Sequence, residues 1–202
     1  MANLMQRVTS FTDGACRKNS GPGGWAAVLI YRGQEKGLSG SVANTTNNRM
    51  ELRAAIEALN ALRRRCNVEL FTESEYLKKG ISHWLPLWKK RGFRTIDGQP
   101  VKNQDLWQKL EEVASQHDVE WKWVRGHVGN RFNELCDRLA KEALDKGVKS
   151  RKFGSRCIAH PNGEAHNSLD RWLVTGRRSR DLSGCVGKRS ISSDHRSHNA
   201  WA

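Results

Sequence analysis

The hydrophobic repeat of this chain changes period at about Thr46, and that change constrains the fold more than any other feature. Before it, residues 6–15 read as a strand leading into a Gly/Pro loop, Asn19-Ser20-Gly21-Pro22-Gly23-Gly24. Trp25-Ala26-Ala27-Val28-Leu29-Ile30-Tyr31 is apolar enough for a central strand, and Arg32-Gly33-Gln34 turns it into a third strand near 35–43. After it, Leu52, Ala55, Ile56, Leu59 and Leu62 recur at i, i+3, i+4 and i+7, the stripe of an amphipathic helix. Val68-Glu69-Leu70-Phe71-Thr72 is a short strand, with helical segments near 74–91 and 103–116. Val119-Glu120-Trp121-Lys122-Trp123-Val124 alternates as a half-buried strand, Gly126-His127-Val128-Gly129 is a loop, and Leu135, Cys136, Leu139, Ala140, Ala143 and Leu144 mark a closing helix. Three strands, helix, strand, helices, strand, helix is an α/β plan on a mixed five-stranded sheet.

At 202 residues the chain buries one sizeable core. Periodicity fades after residue 148, so residues 1–148 are expected to form the domain and 149–202 a basic, disordered tail. That tail holds 11 Lys and Arg against 4 Asp and Glu, half of the net charge of +14. No run approaches the ~18 apolar residues of a membrane span, and Met1-Ala2-Asn3-Leu4-Met5-Gln6-Arg7 lacks the apolar segment of a signal peptide. A cytoplasmic monomer is the expectation. Cys16, Cys66, Cys136, Cys157 and Cys185 are scattered and odd in number, which fits reduced thiols.

Strong positive charge favours a polyanionic partner. Residues 78–102 concentrate Lys78, Lys79, Lys89, Lys90, Arg91, Arg94 and Lys102 against Asp97. Trp84, Trp88, Phe93 and Trp107 lie in or beside this segment, and rings beside cations suit a nucleic-acid backbone.

Against that background four carboxylates stand out: Asp13, Glu51, Glu73 and Asp137. Three of them have a plainer explanation. Asp13 sits at a strand end where turn-forming Asp is common, Asn48-Arg49-Met50-Glu51 has capping-box spacing, and Glu73 suits a helix N-terminus. Asp137 is spaced onto the apolar side of its helix, where a cation must offset it. One explanation covers all four, an acidic cluster holding two Mg²⁺ ions against a phosphate.

Thr12-Asp13-Gly14, Asn47-Asn48-Arg49-Met50-Glu51-Leu52, Thr72-Glu73-Ser74 and Gly126-His127-x-Gly-x₃-Asn133-Glu134-x₂-Asp137 resemble bacterial type 1 ribonuclease H. The resemblance spans roughly residues 6–146, and the segment 84–107 looks like that family's basic protrusion. It implies a ribonuclease H-like fold. It also implies an endonuclease that cuts the RNA strand of RNA–DNA hybrids with Mg²⁺, leaving 5′-phosphate and 3′-hydroxyl ends. On the matched positions Asp13, Glu51, Glu73 and Asp137 are metal ligands, with Mn²⁺ as a possible substitute ion. His127 is the loop histidine that assists proton transfer or product release. Asn19, Asn47 and Glu75 fall on minor-groove contacts, and Asn19, Thr46 and Arg49 fall near the pocket for a DNA phosphate. Trp84, Lys89, Lys90 and Arg91 belong to the substrate handle.

Two positions depart from the family: Glu73 stands where it has Asp, and Glu75 where it has Gln. The added methylene at 73 shifts the ligand oxygens, and ~1 Å of misplacement can cost ~10²-fold in rate. This predicts weak Mg²⁺ activity and relatively better Mn²⁺ activity, with a catalytically impaired hybrid-binding protein as the rival reading.

Overall fold

The computed structural model describes residues 5–125 and 129–153, the last four by backbone alone. His127 and everything beyond Phe153 lie outside the described residues, so the histidine assignment and most of the tail are not addressed by it.

Five strands form one mixed sheet in the order β3-β2-β1-β4-β5. They are β1 (Gln6–Cys16), β2 (Gly21–Tyr31), β3 (Gln34–Thr45), β4 (Cys66–Thr72) and β5 (Asp118–Trp123). The first three form an antiparallel meander, while β4 pairs parallel to β1 and β5 parallel to β4. Helix α1 (Asn47–Asn60) makes the crossover from β3 to β4. Then α2 (Glu75–Lys79), a π-helical turn (Gly80–Trp84), α3 (Leu85–Lys90) and α4 (Gln104–Ala114) fill the link to β5, and α5 (Arg131–Phe153) closes the chain.

Burial alternates along β4, with Cys66, Val68, Leu70 and Thr72 buried and the residues between them half-buried. Alternation turns successive side chains to opposite sheet faces. On one face Val8, Leu29, Val68 and Leu70 of the sheet share a core with Leu52, Ile56 and Leu59 of α1, Leu77 of α2, and Trp107 and Leu110 of α4. On the other, Phe11, Val28 and Cys136 are joined by Phe71, Phe132, Leu135 and Leu139 under α5. The sheet is thus covered on both faces, the arrangement required when its strands include parallel pairs.

Several local expectations change. Gly21–Gly24 are not loop but the start of β2, paired with β1 through Cys16↔Gly23 and Ala15↔Gly24. The reversal is confined to the short link after Cys16, where Lys18 and Asn19 take left-handed φ of 60° and 49°. Asp13 is therefore within β1, opposite Ala26, and not in a turn. Helix α1 starts at Asn47 behind Thr46, which makes no side-chain cap, so Asn48 to Glu51 is not a capping box. Helix α5 runs without a break across residues 148 and 149 to Phe153. Cys16, Cys66 and Cys136 are free thiols.

Candidate active site

The parallel β1–β4 ladder ends at the pair Thr12↔Thr72. The next residue on each side is an acid, Asp13 within β1 and Glu73 just past β4, so the register itself sets two carboxylates side by side where the parallel ladder ends. A crevice at this position is where open α/β sheets place their ligands. Thr12 Oγ1 donates to the Phe71 carbonyl at 3.2 Å, and the Ser74 N–H donates to Thr72 Oγ1 at 3.2 Å. Both threonines thus tie off the strand ends that carry the acids.

Two glycines bring the helical acids in. A Cβ at Gly14 would collide with the backbone of Met50 and Glu51, so only glycine lets α1 approach β1 closely enough to set Glu51 beside Asp13. A Cβ at Gly24 would strike the Ala140 carbonyl, and this close approach seats α5 on the sheet. There Cys136, fully buried, donates its thiol to the Phe11 carbonyl at 3.2 Å, and Asp137 follows it. Burial, then the nearby Asp13 charge, pushes the Cys136 thiol up to about 12, so it acts as a core side chain.

The result is an open cleft of about 560 Å³ lined by Asp13, Glu51, Glu73 and Asp137, with Asn47, Asn48, Ser74, Glu75, Tyr76 and Lys141 around them. Glu51 is the deepest, 6 % exposed. Its Oε1 accepts from the Asn47 amide at 3.5 Å, and its Oε2 is buried without a hydrogen-bond partner. Burial first, then the Asp13 and Glu73 charges, raises its carboxyl well above the usual range, against the Gly14 N–H and Asn47, which lower it. A buried carboxylate oxygen with no donor, facing other carboxylates, is a cation's place.

Asp137 does have an offsetting cation. Lys141 Nζ lies 2.7 Å from its Oδ2, one helical turn on, and the side chain of Asp137 is 25 % exposed. The Lys141 ammonium is raised in turn, by the Asp137 hydrogen bond first and by Asp13 last. Glu73 is held at two points, its carbonyl by Trp123 Nε1 at 3.2 Å and its Oε1 by Asn133 Nδ2 at 3.0 Å. Asp13 Oδ1 accepts from the Gly14 N–H at 2.8 Å. Among the described residues no trio of His, Cys, Asp or Glu already converges on a single ion position. The carboxylates fit hard cations that keep several waters and lean on a substrate phosphate, as Mg²⁺ does.

Lys141 was not singled out from sequence, and Asn133 was named only as part of a motif, with no role. The i, i+4 spacing of Asp137 and Lys141 was a legible signal, whereas Asn133 reaches Glu73 across 60 positions of chain.

The expected substrate contacts divide. Asn47 and Glu75 line the cleft. Glu75 also faces Lys78 and Lys79 at 3.9 and 3.6 Å. Asn19 accepts from the Asn47 N–H at 3.4 Å, next to Thr46. Arg49 is engaged by Asp105 and Asn103.

Trp84, Lys89, Lys90 and Arg91 do not line the cleft. Rings beside these cations also serve the core. Trp107 is fully buried, its indole N–H donating to the Tyr76 hydroxyl at 3.0 Å. Trp84 and Trp88 pack at 5.6 Å, and Trp88 meets Trp107 at 5.6 Å. These rings build the root of the protrusion because fused aromatics gain most by burying their area. Lys89 is paired with Glu111 at 2.5 Å, while Lys90 and Arg91 stand exposed.

The family model for RNase H matches residues 5–145. Ribonuclease H of Nitrosococcus oceani is 59 % identical over 144 residues, covering 71 % of this chain and 98 % of the relative. Among solved structures, LC9-RNase H1, a type 1 RNase H with the type 2 active-site motif, superposes with a TM-score of 0.66 at 28 % identity, covering 85 % of this chain and 87 % of its own. LC11-RNase H1 in complex with RNA/DNA hybrid shares the fold, with a TM-score of 0.55 at 22 % identity over 70 % of this chain and 99 % of its own. With acids brought together from two adjacent strands and two helices, and the family model matching residues 5–145, the protein belongs to the RNase H family of hydrolytic nucleases.

Proposed function

We propose that this protein hydrolyses the RNA strand of RNA–DNA hybrids at the Asp13–Glu51–Glu73–Asp137 cleft, with two divalent cations held by those four carboxylates. The observation that carries the reading is Glu51, buried among three other acids with an oxygen that has no donor. Four carboxylates gathered in one cleft repel one another, a cost that bound divalent cations would offset. Bound Mg²⁺, or Mn²⁺ in its place, supplies an activated water and stabilises the leaving oxygen. Water adds to phosphorus, the bond to O3′ breaks and that oxygen takes the proton, leaving 3′-hydroxyl and 5′-phosphate ends. The chain's own part is geometric. Strand ends and helices fix the four carboxylates, and Asn133 and Trp123 hold Glu73. Asn47 and Glu75 border the cleft where a minor groove would lie. By the resemblance, His127 would assist proton transfer or product release. A hybrid is told from DNA by its wide minor groove and 2′-hydroxyls.

The test is incubation of an end-labelled hybrid, with DNA duplex and single-stranded RNA as controls, in Mg²⁺ or Mn²⁺. Cleavage confined to the hybrid's RNA strand, stopped by chelation, is expected. Tight hybrid binding without cleavage in either metal would make the protein a hybrid-binding module with disabled chemistry.

A further inference from the structure

Helix α5 outruns the family match, which ends at residue 145 while the helix continues to Phe153. Asp137 and Lys141 line the cleft, and Asp145 and Lys149 follow at the same four-residue step, so one ridge of α5 winds out of the cleft. From Asp137 to Lys149 it advances about 18 Å. Its outer half is held in place. Arg17, in the link between β1 and β2, pairs with Asp145 at 2.6 Å, and Gly147 lies so close to β3 that a Cβ there would strike the Ser41 side chain. The same link also reaches the cleft, where Asn19 accepts from the Asn47 N–H at 3.4 Å. The end of α5 and the β1–β2 link thus form one surface continuous with the cleft.

The cations of that surface divide by their partners. Arg17 is engaged by Asp145, and Lys146 lies 4.0 Å from Glu142. Lys18 and Lys149, on either side of the Arg17–Asp145 pair, are exposed, and neither ammonium meets an acid among the described residues. Lys18 also holds a left-handed φ of 60°, a conformation that glycine adopts freely and lysine does not. We infer that Lys18 and Lys149 form a phosphate-binding rim, gripping the sugar–phosphate backbone of the hybrid beside the cleft and away from the bond that is cut. A duplex carries one negative charge per ~1.7 Å of its axis, so several phosphates pass a surface of this length. Such contacts supply affinity and register, and they read neither sequence nor sugar. The inference rests on the hybrid-nuclease reading for the identity of the duplex.

The experiment is a binding series on the full chain with Lys18→Gly, Lys149→Gln and both together. Lys109→Gln serves as the charge control, because Lys109 sits on α4 paired with Glu112. A fluorescently labelled hybrid is titrated without divalent ions, so that nothing is cut, at several salt concentrations, and folding is followed by thermal melting. Each rim variant is expected to lower affinity about tenfold at ~50 mM salt and to flatten the slope of log affinity against log salt by about 0.9. The double variant should flatten it by about 1.8, and a DNA duplex should lose as much as the hybrid. Lys109→Gln should keep the parent slope. Lys18→Gly should melt with the parent or up to about 2–4 °C above it, since the left-handed strain is relieved, which separates lost binding from lost folding. Glutamine keeps a good helix former at 149. Parent slopes in the rim variants, a loss in only one of the two, or an equal loss in Lys109→Gln would overturn the rim. Should the parent protein cleave no hybrid in Mg²⁺ or Mn²⁺, the nuclease reading fails, and the salt slopes still decide whether the rim binds phosphate.

Discussion

Arg49 grips both carboxylate oxygens of Asp105, at 3.0 and 2.6 Å, and so ties the first turn of α1 to the first turn of α4. Asn103, in the left-handed conformation at the start of α4, adds a third contact at 3.4 Å. The guanidinium beside it lowers the Asp105 carboxyl, by hydrogen bonding first. The expected phosphate contact is thus a cation already partnered within the protein.

Freeing that cation is the first prediction. Asp105→Asn should cost stability by about 0–1 kcal/mol, because both partners are substantially exposed. Hybrid affinity at low salt should rise, and the slope of log affinity against log salt should steepen by roughly one phosphate contact. Binding isotherms at several salt concentrations check this, and an unchanged slope would place Arg49 off the substrate.

In the protrusion, the exposed cations and the buried rings should separate experimentally. Lys90→Ala with Arg91→Ala should weaken hybrid binding and flatten its salt dependence, with the turnover number at saturation nearly constant. Lys89→Ala should do less, since Glu111 already engages that ammonium. Trp107→Ala should instead cost about 3–5 kcal/mol of stability, as large buried rings do. Denaturant melts beside binding measurements distinguish the two classes.

Metal-free protein should become more stable when the cleft loses an acid. Asp13→Asn removes a charge that raises the Glu51 carboxyl, so the melting temperature without metal should hold or rise, by about 2–4 °C per ~1 kcal/mol relieved. Hybrid cleavage should vanish. Melting and a cleavage assay on one preparation suffice, and a variant that lost several kcal/mol or stayed active would remove Asp13 from the site.

Midway along β4, Arg7 and Lys122 each approach Glu69 Oε1 at 2.8 Å and hold its carboxyl at about 2, against an ordinary 4.5. A depressed acid adds stability that is complete above its unfolded value and fades as pH falls through the folded one. Melting temperature should therefore drop between pH ~4.5 and ~2 more steeply in the parent than in Glu69→Gln. Parallel curves would show that the pair carries no linkage.

Fold class, strand order along the chain, the amphipathic face of α1 and the identity of the four acids were all legible in the sequence, because each is written in local periodicity or a contiguous motif. Their convergence was expected from chemistry and resemblance, but the contacts that produce it were not legible. Asp13 and Glu73 meet because the β1–β4 ladder ends at Thr12 and Thr72, a register that only pairing sets. Glu51, read locally, had the spacing of a cap; the close approach of α1 at Gly14 makes it the most buried acid of the cleft. Trp84, Trp88 and Trp107 sit among cations in the sequence and yet pack on one another, since ring burial outweighs display. Asn133 meets the Glu73 carboxylate across 60 positions of chain, and no spacing along a chain encodes that contact.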